Sequence, residues 1–439
     1  MAQGDPFSGY TNTDSYFLPY ASGGFVPGNT NDVTVSFILP DSVGARTNFT
    51  MNVDTGSRGV FASEDALGAG FTNAYSFQGQ INLSSSGRVY NGYWTPTAMI
   101  FGVTDLTSGL PKALTSSVTI LSVQSLTCDT NHSSASFSVK SNAPANGTLN
   151  LDGGGTIAYT DWAFSLTHGQ SVSYASNPGL LADVSNFGVG FYLGGATNST
   201  TTGPIANDKN QIYNPLINLT DTSLLQGYIV KTNGIQLGLA TNVAGFAYTK
   251  LNPTGLASSN SVPDWQTPMG TTVINGVTNI PGSIVIDSGI GDAYISASNQ
   301  TVAPTNFTVQ LMNSGGATNG GVGYYVDMAS ISSLNPSSIS LSHPATNGIF
   351  SQNQSPYGTS YFNTGRNVLN AFDMLYDPVN GYMGLLTNYY GSSLVSNGTV
   401  FFAAQAGGFA NPLPEPSTYV LFGLGAIGLL IALRRKKAA

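Results

Sequence analysis

The sequence has very few residues that could form disulfides, metal sites or a serine-based active site. Its one cysteine, Cys128, has no partner for an internal disulfide, and we expect it to be a small buried residue. The three histidines, His132, His168 and His343, stand at none of the spacings that zinc enzymes use. No Gly-x-Ser-x-Gly motif occurs. We therefore expect no metal site, no organic cofactor and no serine hydrolase.

Charged side chains and helical periodicity are also scarce. Charged residues make up 8% of the 439 residues, and no long segment before the C-terminal tail repeats apolar residues at the helical period. Glycine, asparagine, serine and threonine are abundant, together with 22 tyrosines and 22 phenylalanines. This composition is typical of strands joined by many turns, so we predict an all-β protein. The length allows two or three folding units.

Basic residues are concentrated at the C-terminus. The chain has 13 basic and 21 acidic residues in total. Removing the four basic residues at 434–437, together with Glu415, leaves a net charge of −11 over residues 1–413. Proteins bind nucleic acids largely by neutralising phosphates with basic side chains. The charge of the body therefore argues against a nucleic-acid partner.

The C-terminal segment, PLPEPSTYVLFGLGAIGLLIALRRKKAA, has three parts. The triplet Pro414, Glu415 and Pro416 precedes an uncharged apolar stretch, residues 419–433, and the basic cluster follows at once. A helix of that length rises roughly 22 Å, somewhat less than the ~30 Å hydrocarbon core of a bilayer. We predict a transmembrane helix here, with the basic cluster in the cytoplasm and the upstream chain outside.

This order of segments resembles the PEP-CTERM sorting signal of Gram-negative bacteria, which an exosortase-type processing enzyme recognises. The resemblance implies an exported protein with a linker at residues 406–413 and a sorting signal at 414–439. The protein is then expected in the inner membrane facing the periplasm, or processed to the envelope or extracellular matrix. The first residues, MAQGDPFSGY, have neither the charged nor the apolar region of a signal peptide. We expect that such a signal has been trimmed from this sequence.

One acid-tipped turn occurs twice, in FTMNVDTGSRGVFAS at residues 49–63 and in SIVIDSGIGDAYIS at residues 283–296. Apolar residues alternate before Asp54, which predicts a half-buried strand, whereas a continuous apolar run before Asp287 predicts a strand buried on both faces. In each copy a glycine, Gly56 or Gly289, permits a sharp turn. Each aspartate is therefore expected at the tip of a loop between two strands.

The two tips can meet if the halves of the chain are related by a pseudo-twofold axis. Two carboxylates a few ångströms apart cannot both ionise, because the like charge raises one of their pKa values. Such a pair shares one proton and can act as base and acid at once. One carboxylate takes a proton from water while the other carboxyl protonates the oxygen of a peptide carbonyl.

With these residues the chain resembles the pepsin-like aspartic peptidases. Val53 to Ser57 match the first motif of that family in full, and further similar stretches follow in the family's order at residues 187–191, 214–219, 264–276 and 361–386. The similarity spans most of residues 30–390. It implies a bilobal, pseudo-twofold all-β fold. The N-terminal lobe, residues 1–230, would contain Asp54, and the C-terminal lobe, residues 231–405, would contain Asp287.

The resemblance also implies roles for the residues of both turns. Asp54 and Asp287 are expected to be the catalytic pair. The residues expected to support them by bracing or shaping the loops are Thr55, Gly56, Ser57, Ser288 and Gly289. The implied substrate is an extended peptide or protein segment in the cleft between the lobes, and we expect a monomer.

Two departures from the family pattern concern the same site. Where the family has a threonine or serine that bonds the outer carboxylate oxygen, the second turn has Ile290. Losing that hydrogen bond is expected to shift the pKa of Asp287 and to cost about 0.5–1.5 kcal/mol of orientation. In the flap hairpin, alignment on the flap glycine places Ser85 where the family has a tyrosine. Tyr90 and Tyr93 are the candidates to replace it.

A further departure is extra sequence at about residues 125–180, which we interpret as a surface insertion of the N-terminal lobe without an assigned role. Its LDGGGT stretch, residues 151–156, is expected to be a loop.

Two functions are compatible with these observations. The first is an exported, membrane-anchored aspartic endopeptidase, favoured by two aspartates in well-formed motifs. The alternative is a catalytically weak or inactive pepsin-like protein that binds partners at the cell surface or in the matrix. Ile290 and the absent flap tyrosine favour the alternative.

Overall fold

A computed structural model gives the structure of the protein. The described residues are 10, 12–25, 32–40, 46–68, 70–83, 86–130, 132–140, 142–179, 181, 184–190, 214–240, 243, 246–257, 263–275, 278–296, 305–311, 323–327, 339–342 and 361–387. The predicted linker, sorting signal and transmembrane helix lie outside these residues. Within them, no helix is both long and apolar enough to cross a membrane.

The all-β prediction is confirmed for the described part of the chain. Its first strands are β1 (Tyr16–Ser22), β2 (Thr34–Pro40), β3 (Arg46–Asp54), β4 (Arg58–Ser63), β5 (Phe77–Leu83), β6 (Arg88–Asp105), β7 (Pro111–Cys128), β8 (Ser134–Ser138), β9 (Gly147–Asn150), β10 (Thr156–Tyr159), β11 (Ala163–Thr167), β12 (Ser171–Ser173) and β13 (Ser185–Val189). A short helix, α1 (Glu64–Leu67), follows β4.

The later strands are β14 (Tyr228–Val230), β15 (Gly234–Leu237), β16 (Ala247–Lys250), β17 (Pro253–Ala257), β18 (Pro263–Trp265), β19 (Met269–Ile274), β20 (Thr278–Val285), β21 (Ala293–Ser296), β22 (Asn306–Leu311), β23 (Gly323–Asp327), β24 (Ile339–Ser342), β25 (Tyr361–Asn363), β26 (Phe372–Asp377) and β27 (Tyr382–Thr387). A 3-10 helix, Arg366–Asn370, lies between β25 and β26.

Most of the strands form two large mixed sheets, and the pairs β8–β11, β9–β10 and β17–β18 form small two-stranded sheets. The first has 14 strands in the order β12-β7-β4-β13-β3-β2-β6-β1-β15-β14-β26-β27-β16, with β5 paired to β6. The second has seven strands in the order β23-β22-β19-β20-β25-β21-β24. The large sheet contains the closing hairpin β26–β27, which pairs with β14 and β16 from the middle of the chain and lies in the same sheet as the first strands.

The same three-strand arrangement lies beside each aspartate. In the first half, β13 is parallel to β3 and antiparallel to β4. In the second half, β25 is parallel to β20 and antiparallel to β21. The register also agrees, since Phe61 pairs with Asn186 and Tyr294 pairs with Asn363. Both acid-tipped loops therefore leave their sheets in equivalent ways.

The local predictions around these loops are confirmed. In β3, Met51 and Val53 are buried while Thr50 is exposed, as expected for a half-buried strand. Residues 284–286 are buried throughout. The predicted hairpin at the Asn-Gly turn is present as β26–β27. One expectation differs, because residues 215–217, in the stretch similar to a short helix of the family, form a turn.

Residues 125–180 add a second hydrophobic core to the molecule. Strand β8 pairs with β11, β9 pairs with β10 across the LDGGGT turn, and β12 pairs with the end of β7. Apolar side chains of this segment pack against the β5–β6 hairpin. Members of the shared core are Ile81, Tyr90, Trp94, Phe137, Leu149, Tyr159, Phe164 and Leu166. The segment therefore packs against one face of the β5–β6 hairpin.

Candidate active site

Asp54 and Asp287 lie side by side, although they are far apart in the sequence. Asp54 is the last residue of β3, and Asp287 lies just beyond the end of β20. Both residues are partly buried, and they are close enough for the charge of Asp54 to raise the pKa of Asp287. The structure thus brings together the two residues that the sequence predicts as a pair.

The close approach of the two carboxyl groups depends on glycine in both turns. A Cβ atom added to Gly56 would lie 2.1 Å from Cγ of Asp287, and one added to Gly289 would lie 2.8 Å from Cγ of Asp54. Both distances are shorter than the 3.0 Å below which Cβ contacts essentially never occur. Each glycine therefore leaves room for the carboxyl group of the opposite half.

Thr55 and Ser288 connect the two loops through their backbones and hydroxyls. The N–H of Thr55 donates to Ser288 Oγ at 2.9 Å, and the N–H of Ser288 donates to Thr55 Oγ1 at 3.0 Å. Each hydroxyl then donates to the carbonyl that precedes the opposite aspartate. Thr55 Oγ1 donates to Ile286 O at 2.7 Å, and Ser288 Oγ donates to Val53 O at 2.6 Å. These bonds fix the relative position of the two tips.

Each carboxylate also accepts a hydrogen bond from its own loop. The N–H of Gly56 donates to Asp54 Oδ1 at 2.7 Å, and the N–H of Gly289 donates to Asp287 Oδ1 at 2.9 Å. Aspartate commonly accepts the N–H two residues further on in such turns. This contact holds Oδ1 of each carboxylate and leaves Oδ2 to other donors.

Two asparagines that the sequence analysis did not identify hold these second oxygens. Asn186 Nδ2 lies 3.0 Å from Asp54 Oδ2, and Asn363 Nδ2 lies 2.7 Å from Asp287 Oδ2. Both asparagines are buried, at 8% and 2% exposure. A sequence signal exists, because each begins an Asn-x-Gly triplet, at residues 186–188 and 363–365.

The residue that follows the turn glycine differs between the two turns, as the sequence shows. Ser57 is buried, and its Oγ lies 2.6 Å from Asn186 Nδ2. The corresponding residue, Ile290, has no polar side-chain atom. Its backbone carbonyl accepts the N–H of Arg366 at 2.8 Å. The first carboxylate therefore has a hydroxyl in its network where the second has an alkyl group.

The environment of Asp287 favours its protonated form. Burial raises the pKa of Asp287 well above its ordinary value, and the negative charge of Asp54 raises it further. Hydrogen bonds from Asn363 and Gly289 act in the opposite direction. The pair is therefore arranged to keep one proton at pH values where an isolated carboxyl group has lost it.

Two tyrosines of the second half lie near the pair. Burial raises the pKa of Tyr361, the charges of Asp287 and Asp54 contribute to the shift, and its hydroxyl is hydrogen-bonded to Asn363. Tyr294, which is 37% exposed, has a pKa raised by partial burial and by nearby aspartates that include Asp287. Sequence reasoning assigned neither tyrosine to the site.

The predicted flap tyrosines lie in different environments. Tyr90 is 5% exposed, and its ring stacks on Phe61 at 4.8 Å and meets Phe137 edge-on. The Tyr90 ring therefore belongs to the second core. Tyr93 is 37% exposed on the same strand. Ser85, the residue aligned with the flap tyrosine of the family, lies outside the described residues.

An ion pair joins β4 to β18 directly after the first turn. Arg58 Nη1 lies 3.1 Å from Asp264 Oδ2, and the side chains are 16% and 6% exposed. Arg58 follows Ser57 in the chain, so the pair connects the end of the Asp54 loop to a strand of the second half. Its position is suited to holding the loop against that half.

The described residues contain no group of three or more His, Cys, Asp or Glu side chains that is placed to bind a metal ion. Cys128 is buried, as predicted, and belongs to the second core. His343 lies outside the described residues.

Comparison with known proteins identifies the C-terminal segment. Residues 412–436 match the family described as the PEP-CTERM protein-sorting motif. The match includes Pro414, Glu415 and Pro416, and it confirms the predicted sorting signal. The chain thus has the signature of an exported protein that an exosortase-type enzyme recognises for association with the cell envelope. No curated protein matches the chain.

Proposed function

We propose that this exported protein is an aspartic endopeptidase with a pepsin-like, two-lobed fold. Asp54 and Asp287 form its catalytic dyad, one from each lobe, and the substrate is an extended segment of peptide or protein. The geometry of the paired turns is the main support for the proposal. Each carboxyl group occupies space that the opposite glycine leaves free, and Thr55 and Ser288 tie the two turns together.

The strand arrangement supports the proposed fold. The β3–β4–β13 and β20–β21–β25 groups have the same parallel and antiparallel pairings around their aspartates. Such a repeat is expected when two lobes related by a pseudo-twofold axis each contribute one carboxyl group.

The reaction follows from one proton shared between two carboxyl groups. The ionised carboxylate takes a proton from a water molecule as the water oxygen attacks the peptide carbonyl carbon. The protonated carboxyl group gives its proton to the carbonyl oxygen, so a neutral tetrahedral diol forms. In the second step the carboxyl group that took its proton from water gives it to the amide nitrogen, one hydroxyl of the diol gives its proton to the other carboxylate, and the C–N bond breaks. The products are a carboxylic acid and an amine.

The surroundings of the two aspartates indicate which one begins with the proton. Asp287 has the raised pKa, whereas Asp54 Oδ2 lies beside the Asn186 amide that also contacts Ser57. We assign the protonated form to Asp287, as the acid toward the carbonyl oxygen, and the ionised form to Asp54, as the base toward water. Because the two groups titrate together, this assignment describes the singly protonated pair.

The sorting signal gives the proposed peptidase its location. In this proposal the helix predicted at residues 419–433 anchors the body on the periplasmic side of the inner membrane until an exosortase-type enzyme processes the signal. The processed protein then remains in the envelope or enters the extracellular matrix. Its acidic body does not favour polyanionic partners.

A second function is favoured by two specific observations. Ile290 lacks the hydroxyl that the family uses at its position, and Tyr90 is buried in a core. A pepsin-like protein that binds an extended segment without cleaving it would tolerate both features. The dyad itself argues against this second function. Two facing carboxyl groups reduce stability, and a protein that catalyses no reaction would gain nothing from keeping them.

Cleavage of an unfolded protein substrate by the purified chain between pH 3 and pH 7 tests the proposal. We expect cleavage that is favoured by acid, blocked by a statine-type peptide that mimics the tetrahedral diol, and lost in Asp54→Asn and Asp287→Asn. Asp161→Asn is the matched control. It changes an exposed aspartate in the turn between β10 and β11 and should leave cleavage unchanged.

Absence of cleavage at every pH, from wild-type protein with native circular dichroism, would overturn the peptidase proposal. Binding of a statine-type peptide by that same inactive protein would then favour the binding function. Cleavage that persists in both dyad variants would show that the activity belongs to another site.

A further inference from the structure

The two buried asparagines of the site have the same relation to the two aspartates. Asn186 lies two residues before Gly188, which pairs with Asp54 in the parallel β3–β13 ladder. Asn363 lies two residues before Gly365 in the equivalent strand of the second half, where Val285 pairs with Asn363. Each asparagine directs Nδ2 at the Oδ2 atom of the aspartate in its own half. The amide contacts are therefore part of the repeated arrangement.

The orientation of the Asn363 amide is fixed from its other side. Its Oδ1 accepts the N–H of Gly365 at 2.9 Å, so Nδ2 faces Asp287. The residue is 2% exposed, and reorientation would bury an unpaired oxygen against a carboxylate. Asn186 is held differently, because its Nδ2 lies close to both Asp54 Oδ2 and Ser57 Oγ.

The two halves differ at the residue after the turn glycine. Ser57 contributes a hydroxyl to the network around Asp54, but Ile290 contributes none to the network around Asp287. Asn363 therefore supplies to Asp287 Oδ2 a side-chain donor that does not depend on residue 290.

We propose that Asn363 and Asn186 are positioning residues of the dyad, and that Asn363 replaces the hydroxyl donor missing at Ile290. This inference rests on the proposed peptidase function. An amide N–H can only donate, so it stabilises the ionised form of the carboxylate that it contacts. The two asparagines should therefore control different limbs of the pH profile.

The direction for each limb follows from the state that each asparagine stabilises. Asn363 stabilises ionised Asp287, which exists after the shared proton leaves. Replacing Asn363 with leucine should move the alkaline limb of kcat/KM to higher pH. Asn186 stabilises ionised Asp54, the base of the singly protonated pair. Replacing Asn186 with leucine should move the acid limb to higher pH.

Each leucine variant should also lower kcat/KM at its optimum by about tenfold, because the carboxyl group that loses the amide contact is no longer held in position. Ile290→Thr in the Asn363→Leu background should return the alkaline limb toward its wild-type position, because a hydroxyl donor is restored. Ile290→Thr in the otherwise unchanged chain should move that limb to lower pH. Asn177→Leu is the control, because Asn177 is 1% exposed and hydrogen-bonded but lies in the 125–180 segment. It should move neither limb.

A second measurement separates this inference from the proposed function. Carboxyl titration of the full chain labelled with 13C-aspartate reports the pKa of Asp287 without any substrate. Asn363→Leu should raise that pKa, and Ile290→Thr should lower it. If the wild-type protein cleaves nothing, the peptidase proposal fails while the titration still tests the hydrogen bond. If the protein cleaves and the variants move neither limb, or if the titration is unchanged in both variants, the inference is overturned.

Discussion

Thr55 and Ser288, from opposite halves of the chain, each accept the backbone N–H of the other and donate to the carbonyl before the opposite aspartate. The position of each catalytic candidate is therefore set by the other half of the molecule. Both residues are 5% exposed, so water cannot readily replace these bonds.

Removing either hydroxyl should destabilise the protein. We expect Thr55→Val and Ser288→Ala each to lower the free energy of unfolding by about 1–3 kcal/mol, because buried N–H and C=O groups lose their partners. The double variant should lose less than the sum, since the two residues share one network. Urea denaturation measures all three values. Ser36→Ala, which removes an exposed hydroxyl bonded to Thr50, is the control and should change stability by less than about 0.5 kcal/mol. Equal effects at residues 36, 55 and 288 would contradict the role of the network.

Adding one methyl group at the first turn should separate the carboxyl groups. The Cβ atom of alanine at residue 56 would lie 2.1 Å from Asp287 Cγ, so Gly56→Ala must displace Asp287 or its loop. We expect cleavage activity to fall by at least about a hundredfold, given the sensitivity of reactions to displacements near 1 Å. Gly102→Ala is the matched control, because an added Cβ there meets no atom within 4 Å. Its activity should equal that of the wild type, and an active Gly56→Ala variant would refute the described packing.

The stability of the protein should decline with rising pH because of Asp287. Its pKa in the folded state lies above the ordinary carboxyl value of about 3.9. Between these two values the folded state binds more protons than the unfolded state, so the free energy of unfolding falls as pH rises through the interval. Asp287→Asn removes this contribution. The variant should gain stability relative to the wild type from about pH 4 upward, and no such gain should remain below that pH. Denaturation midpoints measured from pH 3 to pH 8 test this, and parallel curves would show that the pKa of Asp287 is not raised.

Breaking the ion pair between Arg58 and Asp264 should destabilise the protein strongly, because both side chains are nearly buried. Arg58→Met leaves the Asp264 carboxylate without this partner, and we expect a loss of about 3 kcal/mol or more. Adding Asp264→Asn should recover part of that loss, since the remaining charge is removed. Lys112→Met breaks a more exposed pair with Asp221 and should cost less than about 1 kcal/mol. A double-mutant cycle by chemical denaturation gives the coupling energy. A value near zero would mean that the ion pair does not hold the loop.

Tyr90 and Tyr93 should respond differently to truncation. Tyr90→Ala opens a cavity between Phe61 and Phe137, and we expect it to reduce stability by about 3–5 kcal/mol. Tyr93→Ala removes a partly exposed ring and should cost less than about 1 kcal/mol. Thermal unfolding distinguishes the two variants. A stable Tyr90→Ala protein with weakened substrate binding would instead place Tyr90 over the cleft.

Much of the local structure around the site was predictable from sequence, because it depends on short-range patterns. Apolar alternation before Asp54 and the apolar run before Asp287 identified their strands, and the Asn380–Gly381 turn identified the last hairpin. The proposed pairing of the two aspartates rested on the repeated motif, since each turn carries the same carboxyl, hydroxyl and glycine in the same order. The Asn-x-Gly triplets that begin at residues 186 and 363 are also visible in the sequence. Their role could not be predicted, because it depends on the pairing of their strands with the strands before the aspartates.

The sequence by itself determined the all-β class, the sorting signal and the two acid-tipped turns, because periodicity, composition and short motifs act within a few residues. The tertiary structure decided that Asn186 and Asn363 hold the Oδ2 atoms of the two aspartates, since each is more than 70 residues from its aspartate. It also decided that Tyr90 lies in a core, because residues 125–180 cover one face of its hairpin. Contacts across such distances depend on how strands pair and sheets pack, and no local pattern specifies them.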